Sequence, residues 1–212
     1  MKRLILVVTI LFALSSCNNP SNKEVTYVME IETAPVSNVV ENILNSDEKI
    51  NLNGIDYYLA WSSHPMSNFY KHEYVPKGQV VEKFNDMILF DLIIGDMDAK
   101  NTIAEKIEQL EIRKQTDVVA GYNVSVNKKK NEFLLDFMLS DGNGDENTIV
   151  EWNVYRYYDY TDSKGNKGVI IFGLSRRGYG KNVIEFVENI KANRLTYLSE
   201  FINLKIPEIK LE

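Results

Sequence analysis

The sequence predicts an α+β domain: an antiparallel β-sheet meander packed against a central helix and a long C-terminal helix. Three observations carry this. Strand patterns follow one another from Val118 to Leu174 with only short turns between them, as a meander requires. Two of those turns, Asp141-Gly142-Asn143-Gly144 and Asp162-Ser163-Lys164-Gly165, have hairpin chemistry. Two segments repeat apolar residues at helical spacing, and such helices need an apolar surface to cover.

Taken in order, Val25 to Thr33 alternates Val25, Tyr27, Met29 and Ile31, which predicts a first strand. Pro35 opens a short helix, with Val36, Val39, Val40, Ile43 and Leu44 on one face. Asn53-Gly54 marks a turn. Ile55 to Trp61 and Asn68 to Val75 read as strands joined through Ser62-Ser63-His64-Pro65, and Val80 to Phe84 reads as a helical turn. Met87 to Ile94 is apolar except for Asp91, the pattern of a buried strand. Asp96 or Asp98 caps the helix carrying Ile103, Ile107 and Leu110.

Beyond it, Val118 to Val126 alternates, as do Phe133, Leu135, Phe137 and Leu139. Ile149 to Tyr160 is a long strand with Val150, Trp152 and Val154 turned inward, and Trp152 is expected beneath a helix. Val169 to Leu174 is the last strand. Val183, Phe186, Val187, Ile190, Tyr197, Leu198 and Phe201 then define the long C-terminal helix, and Pro207 forbids its continuation. The order of elements resembles the α-β-α sandwiches of the PsbP/Mog1 type, a likeness of shape that implies no function.

The N-terminus has a separate character. Met1-Lys2-Arg3 is basic, and Leu4 to Leu14 is apolar apart from Thr9, too short to span a bilayer. Leu14-Ser15-Ser16-Cys17 resembles the lipobox of bacterial lipoproteins. The resemblance implies a signal peptide over 1–16, a lipidated Cys17 as mature N-terminus and a tether over 17–24, followed by one domain over 25–212. It also implies anchoring in the cell envelope, at the outer membrane facing the periplasm or at the cell surface. Two or three acyl chains hold a protein on a membrane, since each buried methylene contributes about 0.8 kcal/mol.

Cleavage before Cys17 leaves roughly 195 residues, the length of one domain with a sizeable core. Cys17 is the only cysteine, so no disulfide framework supports that core. The net charge of −6 argues against nucleic acid as a partner. The one basic run, Lys128-Lys129-Lys130, sits between strand patterns as a solvated turn.

No pattern assigns a catalytic residue, a metal site or a cofactor. His64 and His72 are the only histidines, and His72 beside Glu73 offers a base with an acid but no third ligand at metal spacing. Asp141 to Asp145 alternates oxygens, yet an EF-hand needs Gly at the sixth position and Glu at the twelfth, where Glu146 and Trp152 stand.

Two groups are candidates for binding. Arg176, Arg177, Gly178 and Gly180 precede the C-terminal helix, where guanidinium groups and free helix N–H groups together suit an anion or an anionic partner. Tyr155, Tyr157, Tyr158 and Tyr160 offer an aromatic surface for glycan or peptide, although alternation splits them between two faces.

These features point to a non-enzymatic binding or accessory lipoprotein whose partners are the membrane, through lipid on Cys17, and an envelope protein or glycan. The alternatives are a lipid-anchored hydrolase using His64 or His72, and an immunity or inhibitor protein.

Overall fold

Alternating apolar residues build eight strands in a computed structural model that describes residues 40–211 apart from 129, 143, 145 and 147. The strands are β1 (Lys49–Leu52), β2 (Ile55–Met66), β3 (Phe69–Pro76), β4 (Asp86–Ile94), β5 (Gly121–Asn127), β6 (Glu132–Asp141), β7 (Ile149–Thr161) and β8 (Lys167–Tyr179). Helix α1 (Ala99–Arg113) lies between β4 and β5, and helix α2 (Val183–Asn203) follows β8. All strands pair antiparallel in one sheet of order β1-β2-β3-β4-β8-β7-β6-β5. The fold is α+β. Two hairpin runs, β1 to β4 and β5 to β8, meet along the seam between β4 and β8.

Pairing registers sort the side chains onto two faces, because residues directly opposite each other share a face. Trp152, Val154, Leu174, Phe172, Phe90 and Ile88 lie on one, where Ile190, Leu198 and Phe201 of α2 cover them. Leu135, Phe137, Tyr157 and Val169 lie on the other, beneath Ala99, Ile103 and Leu110 of α1. Trp152 is 2% exposed, with its ring centroid 6.1 Å from that of Tyr197 on α2.

The C-terminal end of α2 is fastened by a buried charge. Arg156 donates Nη1 to the carbonyls of Phe201 (3.1 Å) and Leu204 (2.7 Å), and Nε to Glu132 Oε1 at 2.7 Å. A cation among the last carbonyls of a helix complements both its unsatisfied acceptors and its dipole. Tyr158 donates its hydroxyl to the same Glu132 oxygen. Arg194 forks onto Asp136 with two bonds of 2.6 Å, fixing the middle of α2 to β6. At the other end of α2, a Cβ on Gly178 would fall 2.5 Å from Phe186, so only glycine lets the helix approach.

Helix α1 begins at Asp98, whose carboxylate accepts the Asn101 N–H at 2.7 Å as an N-cap. It sits over β6, β7 and β8. The same sheet face over β2, β3 and β4 has no helix on it among the described residues.

Several expectations are corrected. Residues 40–44 form no helix. Leu44 enters the core from an irregular segment that the C-terminal tail braces, Lys210 donating its N–H to the Leu44 carbonyl. The turn over 80–84 is a bridge between Val80 and Lys83 rather than a helical turn. Val118 belongs to the exposed α1–β5 loop, because α1 must reach the far edge of the sheet before β5 can start at Gly121. Strand β8 runs five residues past Leu174, since β7 is long enough to pair with it throughout. The strand expected over 25–33, the start of the helix at Pro35, and everything proposed for residues 1–24 lie outside the described residues.

Candidate functional site

The extension of β8 decides the fate of the arginine pair. Arg176 and Arg177 stand inside a strand, so their side chains take opposite faces. Arg176 pairs with Asp86, Nε to Oδ1 2.8 Å, and lies 3.9 Å over the Tyr197 ring on the α2 side. Arg177 pairs with Glu151 and lies 4.0 Å over the Phe84 ring on the α1 side. They do not converge on one anion. Gly178 admits Phe186. Gly180, at φ +52, begins a 3-10 turn (Gly180–Asn182), and a Cβ there would meet the Glu146 carbonyl at 2.7 Å.

The tyrosines are also divided. Tyr157 is buried and Tyr155 half-buried on the α1 face, while Tyr158 and Tyr160 are half-buried on the α2 face. No single aromatic platform includes all four.

His64 stacks on Tyr70 with ring centroids 4.0 Å apart, whereas His72 is fully buried on β3. His72 Nε2 accepts the Leu44 backbone N–H at 3.4 Å, and Nδ1 lies 3.3 Å from Ser46 Oγ and 3.1 Å from the Tyr74 hydroxyl. Tyr74 donates that hydroxyl to the Asp47 carbonyl. With Nε2 accepting, Nδ1 carries the proton and donates. The ring therefore has no free lone pair with which to deprotonate Ser46. Burial holds the His72 pKa down to about 4, so the ring is neutral across the physiological range. Glu73 points to the opposite face and takes no part. The pair of His72 with Glu73 expected from their adjacency does not form, because neighbours in a strand diverge.

A different constellation emerges on the open part of the α1 face. A polar ladder runs along β7 and β8. Ser175 donates to Asn153 Oδ1, Asn153 donates to Glu151 Oε1 at 2.9 Å, and Arg177 donates to Glu151 Oε2. Across Gly173, where a Cβ would fall 2.6 Å from Leu89 and 2.8 Å from Tyr155, lie Asp91 on β4 and Lys71 and Glu73 on β3. Lys106 of α1 overhangs from the other side, 5.1 Å from the Phe137 ring centroid. Beyond Glu151 and Arg177 the strip opens into a cleft of about 370 Å³ bounded by Arg113, Leu139 and Ser140.

Electrostatics single out this strip. Asp91 is 6% exposed; burial pushes its carboxyl up to about 6, against the pull of Lys71. Its Oδ2 takes Lys71 Nζ at 2.9 Å, while its Oδ1 has no donor. Burial also raises Glu73, only partly offset by Lys71 and Arg177, and lowers Lys106. Neither Glu73 nor Lys106 has a hydrogen-bond partner among the described residues. Sequence reasoning missed this site, although one signal was present: a lone Asp91 inside the apolar run from Met87 to Ile94. A buried carboxylate in such a run needs a reason.

No described cluster of three or more His, Cys, Asp or Glu is placed to hold a metal ion, and no described helix is long and apolar enough to cross a membrane. A family model matches residues 44–206, the whole sheet and both helices. The chain belongs to that family. It is an uncharacterised one. No curated protein and no solved structure matches the chain, so the PsbP/Mog1-type likeness draws no support from relatives. The charged strip, from Lys71 to Arg177, lies within the matched residues.

Proposed function

We propose that this chain is a lipid-anchored envelope lipoprotein whose domain binds a polar ligand along the charged strip beside α1 without covalent chemistry. One observation carries the binding reading: Asp91, Glu73 and Lys106 are partly or wholly buried on one open sheet face, with hydrogen-bonding capacity that no described residue uses. A fold retains such groups at a cost in stability when a ligand completes them. The ligand supplies donors to Glu73 and Asp91 and an acceptor to Lys106. The Leu14–Cys17 pattern supports the anchor, at the outer membrane facing the periplasm.

In the hydrolase alternative His72 does not serve as the base, since both its nitrogens are engaged, which leaves that reading with His64, stacked on Tyr70. Two measurements test the proposal. Cys17→Ala removes the protein from the detergent phase if the anchor is real; unchanged partition sinks that half. Glu73→Gln with Lys106→Gln abolishes capture of the partner recovered from envelope extracts by the wild type, at an unchanged melting temperature. Capture of the same material by both proteins sinks the other half.

A further inference from the structure

The two edges of the sheet are built differently. At one edge, β1 has only four residues, and β2 beyond it carries Pro65 and two register shifts, between Leu59 and Trp61 and between Ser63 and Met66. Short edge strands, proline and bulges are the devices that stop a sheet edge from pairing with another chain. At the other edge, β5 has none of them. It pairs with β6 in unbroken register from Gly121 to Asn127, contains no charged residue and no proline, and is exposed from Asn123 onward. Val124 and Val126 are exposed on its α1 side, at 43% and 49%. Its outer edge is unpaired among the described residues.

The sequence of this strand is self-complementary. Asn123-Val124-Ser125-Val126-Asn127 reads the same in both directions about Ser125. Two copies placed antiparallel about that residue set Ser125 opposite Ser125, each Val124 opposite a Val126, and each Asn123 opposite an Asn127. Valine pairs then fall on one face, and amide and hydroxyl pairs on the other, which are favourable cross-strand combinations. An isologous two-fold contact requires a patch that matches itself in this way.

We infer that β5 is a dimerisation strand, and that two copies join edge to edge about Ser125 into one continuous antiparallel sheet with its two-fold axis perpendicular to the sheet. The contact stands independently of the charged strip, whose members lie on β3, β4, β7, β8 and α1 and not on β5.

The decisive variant is Ser125→Cys in the full chain. Directly opposed residues of an antiparallel pair have Cα atoms about 4.5–5.5 Å apart, within disulfide range. Ser125→Cys then forms a covalent dimer on mild oxidation, whereas Val118→Cys, on a fully exposed loop, gives only the background shared through Cys17. Sedimentation equilibrium supplies the second reading. The parent chain shows a concentration-dependent dimer. Val124→Lys with Val126→Lys weakens it roughly tenfold or more, because lysines are now set opposite each other, while the melting temperature holds. A monomer at all concentrations, or cross-linking of Ser125→Cys no faster than of Val118→Cys, overturns the inference. Those outcomes also cover the case in which another segment of the same chain occupies the edge.

Discussion

Lys71 holds one oxygen of Asp91 at 2.9 Å and leaves the other, buried, without a donor among the described residues. The folded-state pKa of Asp91, about 6, lies above its ordinary value of 3.8. A carboxyl shifted this way is best tolerated when protonated. Its contribution is most favourable below pH 3.8 and is lost as pH rises through about 6. At pH 7 the ionised group costs on the order of 3 kcal/mol. Asp91→Asn is therefore expected to raise the unfolding free energy measured in urea at pH 7, by on the order of 1–3 kcal/mol after Lys71 turns to water. The gain shrinks toward zero near pH 4. A loss of stability at pH 7 would show that Asp91 is structural.

His72 titrates in the same window with the opposite sign. Burial lowers its pKa from 6.5 to about 4, so the unfolded chain binds the proton more readily. Stability is fully present above pH 6.5 and is lost as pH falls through 4. In the parent chain Asp91 offsets this slope. In Asp91→Asn that share of the offset is gone, Glu73 and Asp86 still opposing, and unfolding free energy should fall by up to about 3 kcal/mol between pH 6.5 and 4. A flat profile in that variant would contradict the neutral His72 node.

Arg156 is the main fastening of α2. Arg156→Met leaves Glu132 buried and unpaired and should cost roughly 3–5 kcal/mol in chemical denaturation. Adding Glu132→Gln should recover part of this loss, because the uncompensated charge disappears. A cost below about 1 kcal/mol for the single variant would mean that the ion pair does not dock the helix.

Arg176 and Arg177 have no shared partner. Arg176→Gln and Arg177→Gln should each destabilise, and the losses should add to within about 0.5 kcal/mol in the double variant. Strong coupling between them, seen in melting or in ligand capture, would restore the idea of a joint anion site.

Much of the fold was legible because strand alternation survives local reading. The inward set of Phe133, Leu135 and Phe137, the burial of Trp152 and the apolar faces of both helices follow from periodicity alone. The seam between β4 and β8 was not legible, because pairing across about eighty residues leaves no periodic trace. The arginine corner was misplaced for a related reason. Polar residues from Ser175 to Arg177 end the apolar run, yet the strand continues because β7 supplies partners and acids on both faces receive the guanidinium groups. The charged strip was hidden differently. Its members come from β3, β4, α1, β7 and β8, and only their registers bring them together.

That seam also sets the order in which the molecule can be completed. A chain emerging from its N-terminus can close β1 to β4 from neighbours in sequence, but β4 then shows a bare edge with Ile88, Phe90 and Leu92 beside it. The strand that covers this edge is the last of the eight to appear, and the helix that shelters the same face follows it. The first half therefore waits, sticky and unfinished, for the second. Truncation just before β8 should leave an aggregating stump, whereas the missing strand and helix supplied in trans as a free 167–211 peptide should rescue it.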